Sequence, residues 1–320
     1  MSRRRDALAV TACVLSLSCT RATPTAPRAL PVASAAPAPS SSAPPPPPAS
    51  NVVGASFGRP VEVLVPVGYR KGTPAPLVIM LHAYGVNGTL EELFFRLRPH
   101  AHARGFLYVR PDGTANGDGR PYWNATDACC APEIAKGLPT TPDDDVYLIG
   151  LLDEIAAKWD VDPKRVFLVG HSNGGFMAHR LACEHADRFA AIVSVAGATF
   201  ADAGRCKPSS PIAVLQIHGT EDTTIRFGGG AFFGRSYPSA RATAERWATL
   251  DGCDAKPTSG ANLDVDGSVD GLETAVTRWA GCRPNAAVEL WTIEGGSHVP
   301  LPTTELARGL LDFLFDHPKP

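Results

Sequence analysis

The run Gly170-His171-Ser172-Asn173-Gly174-Gly175 follows the apolar stretch Val166-Phe167-Leu168-Val169 and precedes the helix-forming Met177-Ala178-His179-Arg180-Leu181-Ala182. A buried strand that reverses sharply into a helix fixes much of what such a chain can become. The turn holds its serine at strained backbone angles, so the flanking positions must be small, and Gly170 and Gly174 meet that demand. A helix over residues 176–183 would place its positive N-terminal end beside Ser172, where a developing negative charge would be stabilised. The strand before and the helix after distinguish this nucleophile elbow from a chance glycine-serine-glycine pattern.

An elbow of this kind needs an acid and a base later in the chain, each just beyond a strand's carboxyl end. The run 211–217 reads as a buried strand ending in His218-Gly219-Thr220-Glu221-Asp222. The run 288–293 is another, ending in Glu294-Gly295-Gly296-Ser297-His298. Of nine histidines, His100, His102, His179 and His185 fall on or beside helical stretches and read as surface or packing residues. His317 is near the chain end, and His82 and His218 precede small residues that shape loops. His171 is the variable residue of the elbow and is expected to point away from the reaction face. His298, in a glycine-flanked loop after the last strand, is the candidate base. Asp222 and Glu221 both qualify as the acid.

Two backbone amides should form an oxyanion hole. One belongs to Asn173, the residue after the nucleophile. The other belongs to Ala83 or Tyr84, in the loop His82-Ala83-Tyr84-Gly85 that follows the strand 77–81.

With these residues placed, the chain resembles the secreted serine esterases that group polyhydroxybutyrate depolymerases with feruloyl and acetylxylan esterases. The likeness runs from about residue 61 to the C-terminus. It is carried by Leu81-His82, Arg110-Pro111-Asp112-Gly113, Trp123-Asn124 with Cys129-Cys130, and Asp144-Asp145-Val146. Beyond these lie the elbow, Arg180-Leu181-Ala182-Cys183, the stretch 218–222 and Ile293-Glu294-Gly295-Gly296-Ser297-His298. The resemblance implies an α/β-hydrolase fold, a mostly parallel sheet with helices on both faces. It also implies no metal or organic cofactor, and a triad of Ser172, Asp222 and His298, choosing Asp222 over Glu221. Tyr122 and Trp123 are the candidate wall of a substrate pocket. The chain departs from the family at Ala83, where glycine is common. It departs again after His298, where Val299-Pro300-Leu301-Pro302 replaces a segment that often carries tryptophan.

Composition narrows the setting. Residues 1–19 have a basic start, Arg3-Arg4-Arg5, and an apolar stretch too short to span a bilayer, with cysteines at Cys13 and Cys19. This pattern reads as an export signal of lipoprotein type, with Cys19 or Cys13 lipidated, or as a signal cleaved on secretion. Residues 20–51 contain ten of the chain's 30 prolines and form a linker that cannot bury a core. The rest, residues 52–320, is one catalytic domain's worth of sequence with 25 basic and 31 acidic residues. A mildly acidic domain without basic clusters excludes nucleic acid as a partner and leaves a lipid anchor as the only membrane contact. A monomer acting on ester substrates is expected.

Six cysteines remain in that domain, and an even count after an export signal implies disulfides. Locality pairs Cys183 with Cys206 and Cys253 with Cys282, leaving Cys129 and Cys130 as a vicinal pair or reduced. The stretch Asp264-Val265-Asp266-Gly267-Ser268 lacks calcium-loop spacing and reads as a solvated β-turn. Strands are expected at 61–65 and 106–109. Helices are expected at 145–159, with Ile149, Leu152, Ile155 and Trp159 on one stripe, and at 237–250 and 303–315. A serine peptidase on the same fold and a non-catalytic binding protein are the rival readings.

Overall fold

Apolar runs without polar alternation form strands buried on both faces, and this chain has several. Ala75–Leu81 (β1) is buried at every position, as are Leu107–Val109 (β2) and Ala191–Val195 (β4). Val161–His171 (β3) is buried over its second half, and Ala213–Gly219 (β5) throughout. Thr258–Ser259 (β6), Thr274–Trp279 (β7) and Val288–Ile293 (β8) complete one eight-stranded sheet. Its order is β6-β7-β8-β5-β4-β3-β1-β2, with β8 through β2 parallel and β6 and β7 antiparallel at one edge. The computed structural model describes residues 50–129, 137–138 and 141–320. Cys13, Cys19, the export signal, nearly all of the proline linker and Cys130 lie outside the described residues.

Period-two alternation divides the core between the two faces. Leu77, Ile79, Leu81, Leu168, Ile192 and Val214 pack on one side with helices Asp144–Lys158 (α3), Asn173–Glu184 (α4) and Ala240–Leu250 (α5). Val78, Met80, Phe167, Val169, Val193 and Leu215 pack on the other. They meet residues of Gly88–Phe95 (α1), Leu97–Arg104 (α2) and Thr304–Asp316 (α6). The fold class is therefore α/β with helices on both faces, as the sequence led us to expect.

Several boundaries differ for local reasons. The elbow helix α4 starts at Asn173 rather than residue 176, because Gly174 lets the chain wind at once against β1. A Cβ on Gly174 would lie 2.1 Å from the Leu81 carbonyl oxygen. Helix α5 starts at Ala240 rather than residue 237: Pro238 precedes a Ser239 cap whose Oγ accepts the Ala242 amide at 3.0 Å. Tyr237 instead ends a short hairpin with Gly230–Phe232. In α3 the buried stripe is Tyr147, Leu148, Leu151, Leu152 and Ile155, with Ile149 only half-buried at its edge. Residues 61–65 give only the short strand Val61–Glu62 and a bridge from Leu64 to Tyr108.

The disulfides Cys183–Cys206 and Cys253–Cys282 are both present. Cys129 is also disulfide-bonded, so the reduced alternative fails for that cysteine. The expected solvated turn is present, with Gly267, Ser268, Asp270 and Gly271 exposed, but Asp266 at its start is fully buried. Its Oδ1 accepts from Ser268 and from the Leu301 amide at 2.8 Å. The insertion thus holds the segment that follows His298.

Candidate active site

The carboxyl ends of β1, β3, β5 and β8 lie along one edge of the sheet, and each delivers part of the site. Ser172 follows β3 at φ 52° and ψ −118°, the strained geometry expected of the elbow. Its amide donates to the Val195 carbonyl at 2.8 Å, which fixes the turn against β4. His298 follows β8, and its Nε2 lies 3.0 Å from Ser172 Oγ. Its Nδ1 lies 2.7 Å from Oδ2 of Asp222, which follows β5. A carboxylate only accepts, so Nδ1 carries the proton and bare Nε2 faces the serine hydroxyl. Glu221 makes no such contact among the described residues.

Asp222 is firmly held. Its Oδ1 accepts the amides of Thr224 and Ile225, each at 2.8 Å, while His218 Nε2 lies 3.3 Å from Oδ2. Burial alone would raise its carboxyl, but hydrogen bonds from His218 and His298 outweigh this and hold it well below the usual carboxylate range. His298 is lowered as well, for a different reason. Burial lowers it, the nearby His171 charge adds to that, and Asp222 only partly offsets both.

His218 belongs to a longer buried chain. Its Nε2 donates to the Ile225 carbonyl at 2.6 Å, and its Nδ1 accepts from Gln216 Nε2 at 3.2 Å. Gln216 Oε1 accepts from His179 Nε2 at 3.0 Å, and Trp247 Nε1 donates to His179 Nδ1 at 3.0 Å. His179, read from sequence as surface or packing, is fully buried and pushed down to about 4 by that burial.

A second buried group touches the base loop from another direction. His171 Nε2 lies 3.0 Å from the His298 carbonyl oxygen, and its Nδ1 lies 3.0 Å from Glu91 Oε1. Glu91 Oε2 accepts the Ala83 amide at 2.9 Å. Burial would raise Glu91, but the His171 charge lowers it overall; burial would lower His171, but Glu91 raises it overall. His171, expected to point away from the reaction face, stacks on Phe94 with its ring 5.3 Å from that of His298.

That bond occupies the Ala83 amide, so of the two candidates on the first loop only Tyr84 keeps its amide available. Among the described residues no acceptor takes the Tyr84 amide. Asn173 opens α4, where amides point out of the helix end. Its side chain is bound both ways to the Trp123 backbone, at 2.7 and 3.0 Å.

The expected pocket wall is corrected. Tyr122 and Trp123 are fully buried, and the Trp123 indole donates to the His82 carbonyl at 3.0 Å, so they brace the loops from behind. The cavity beside Ser172 holds about 350 Å³ and is walled by Tyr84, Leu90, Phe94, Phe232 and Val299. Leu90 and Val299 are 53% and 58% exposed at its rim. Phe232 arrives on the three-residue strand Gly230–Phe232, too short to show a period in sequence. For a metal, the one His/carboxylate cluster among the described residues is Asp145, Glu184 and His185. Its groups are already engaged: His185 contacts Asp145 at 2.8 Å and Arg180 contacts Glu184 at 3.0 Å.

Known proteins bear on this arrangement in three ways. Feruloyl esterase B of Piromyces equi is 29% identical over 251 residues, covering 75% of this chain but only 42% of that protein. Feruloyl esterase D of Neurospora crassa is 26% identical over 265 residues, covering 78% and 77% of the two chains. The acetyl xylan esterase from Aspergillus awamori shares the fold at a TM-score of 0.59 and 15% identity, over 80% of this chain and 93% of that one. The sequence pattern of the phospholipase/carboxylesterase family matches residues 67–242, a span that holds Ser172 and Asp222 and more than half of the chain. This chain belongs to the phospholipase/carboxylesterase family of α/β-hydrolases.

Proposed function

We propose that this protein is a serine carboxylesterase in which Ser172, His298 and Asp222 act as a triad. The single observation that carries the reading is the unbroken contact from Ser172 Oγ to His298 Nε2 at 3.0 Å and from His298 Nδ1 to Asp222 at 2.7 Å. Ser172 attacks the ester carbonyl as His298 takes its proton. The oxyanion forms against the amides of Tyr84 and Asn173, backed by the N-terminal end of α4. Asp222 keeps the imidazole in the productive tautomer and stabilises its charged form. His298 then gives the proton to the leaving alcohol, and water deacylates Ser172 by the same route.

The substrate reading rests on the cavity. Its wall of Phe94, Phe232, Leu90 and Val299 suits an aromatic or short apolar acyl group, so feruloyl-type esters are the leading class. Acetylated xylan and polyhydroxybutyrate follow. We further propose export to the cell envelope through the lipoprotein-like signal, with acylation at Cys19 or Cys13 on the tether of residues 20–51. Among the described residues no helix is long and apolar enough to cross a membrane.

The purified protein should hydrolyse short p-nitrophenyl esters and methyl ferulate, and Ser172→Ala should abolish both. Faster cleavage of the matching anilides than of the esters would make it a peptidase instead. Mass spectrometry of membrane-extracted protein should find a diacylglycerol adduct at Cys19 or Cys13; recovery of only an unmodified N-terminus from the medium contradicts the anchor.

A further inference from the structure

His171 occupies the variable position of the elbow, and the proposed reaction assigns it no work. It is nonetheless buried, and both of its ring nitrogens face atoms that accept. A backbone carbonyl oxygen cannot donate, so the nitrogen facing the His298 carbonyl must carry hydrogen. Glu91 Oε1 faces the other nitrogen, while Glu91 Oε2 already takes the Ala83 amide. One proton is then shared between Glu91 Oε1 and His171 Nδ1 across 3.0 Å. The His171 charge holds Glu91 down and Glu91 holds His171 up, so the proton sits on Nδ1 and the contact is an imidazolium paired with a buried carboxylate.

This pair joins four pieces of chain: helix α1 through Glu91, the elbow through His171, the base loop through the His298 carbonyl, and the oxyanion loop through the Ala83 amide. We propose that His171, kept doubly protonated by Glu91, is a positioning residue that locks the base loop to the oxyanion loop and electrostatically opposes a second proton on His298. The proposal rests on the triad reading of the same site.

The two parts of the proposal have distinct physical sources. Position follows from charge-assisted hydrogen bonds, which are shorter and stronger than neutral ones. The electrostatic part follows from a cation whose ring centre lies 5.3 Å from that of the base. His298 also faces Asp222 and His218, His171 also faces Asp222, and Glu91 also faces His82. His82 accepts the Gly113 amide on Nε2 at 2.8 Å and is lowered by burial, so it adds no competing charge. Asp222 is held ionised and favours protons on both rings. The His171 charge therefore works against Asp222 at the base, and its removal should let His298 take up a proton at higher pH.

The test has an arm that does not depend on ester turnover. In nitrogen-labelled wild-type protein, the His171 ring, assigned by its loss in His171→Gln, should show both nitrogens protonated at pH 8. A neutral tautomer there would overturn the proposal even if esterase activity were absent. In the enzymatic arm, kcat/KM is followed from pH 5 to 9 in wild type, Glu91→Gln and His171→Gln. Both variants should move the acid limb to higher pH, with activity at pH 5.5 relative to pH 8 falling roughly three-fold or more. The double variant should show no further displacement. A lowered plateau with an unmoved acid limb would mean a merely structural role and would also overturn the proposal. If His171→Gln fails to fold, Glu91→Gln supplies both readouts, since loss of the carboxylate should leave the His171 ring neutral at pH 8.

Discussion

Two buried polar chains meet at His298, one through its ring partner Asp222 and one through its backbone carbonyl. Each contains a histidine sealed from water, yet the two histidines hold different charges. His179 Nδ1 accepts a hydrogen bond from the Trp247 indole, which can only donate, and its Nε2–H donates to the Gln216 amide oxygen. It is therefore neutral, and burial drives it down to about 4. His171 faces a carboxylate and a carbonyl, and it is raised instead. Burial is common to both, so the partner decides the charge. The neutral chain orders Asp222 without adding charge near it. The charged pair ties two loops together at the cost of burying two ions.

That contrast predicts unequal penalties. The largest should come from breaking the charged pair: His171→Leu leaves Glu91 ionised and unpaired, and urea unfolding should show a loss of about 3–5 kcal/mol. His171→Leu combined with Glu91→Leu should recover more than half of it. No recovery would mean that the charge is not what is lost.

Asp251 sharpens the rule, because it is a buried carboxyl with a poor partner. Burial raises it to about 7, against a weak pull from the Ile212 amide at 3.3 Å and from Arg283 at 3.8 Å. Its folded pKa lies above its unfolded one, so the native state binds the extra proton between about pH 4 and 7. Stability is therefore lost as pH rises through that window. Asp251→Asn should remove that slope and stabilise the protein at pH 8 by about 2–4 kcal/mol. An unchanged pH dependence of the melting temperature would contradict this.

A smaller effect is expected on the neutral side. Gln216→Leu leaves His179 and His218 each short of a partner and should cost about 1–3 kcal/mol. It should lower ester turnover through Asp222 without moving the acid limb toward the value seen in His171→Gln. Equal limb shifts in the two variants would erase the distinction between the chains.

What was readable from sequence divides along similar lines. The elbow was legible because its constraint is local: small residues at fixed offsets around Ser172, flanked by a strand and a helix. Strand β1 was legible from the unbroken apolar run 77–81, and the pairs Cys183–Cys206 and Cys253–Cys282 from proximity in sequence. The role of His171 was not, because its charge depends on Glu91, 80 positions earlier in the chain. The pocket was not either. Aromatic residues near Cys129 looked like a wall, while Phe94 and Phe232 reach the cavity from an amphipathic helix and a hairpin whose own sequences say nothing of Ser172. Asp266 was hidden for a similar reason, since a turn-forming aspartate gives no sign of being buried beneath the segment after the base.

The central claim, that Ser172 is a nucleophile activated by His298, is tested most directly by covalent capture. The protein is treated with a fluorophosphonate, and the modified peptide is located by mass spectrometry as ester turnover is followed. The account predicts one adduct, on Ser172, forming in step with the loss of activity and absent in His298→Ala. Labelling of another residue in step with that loss, or undiminished labelling of Ser172 in His298→Ala, would contradict it.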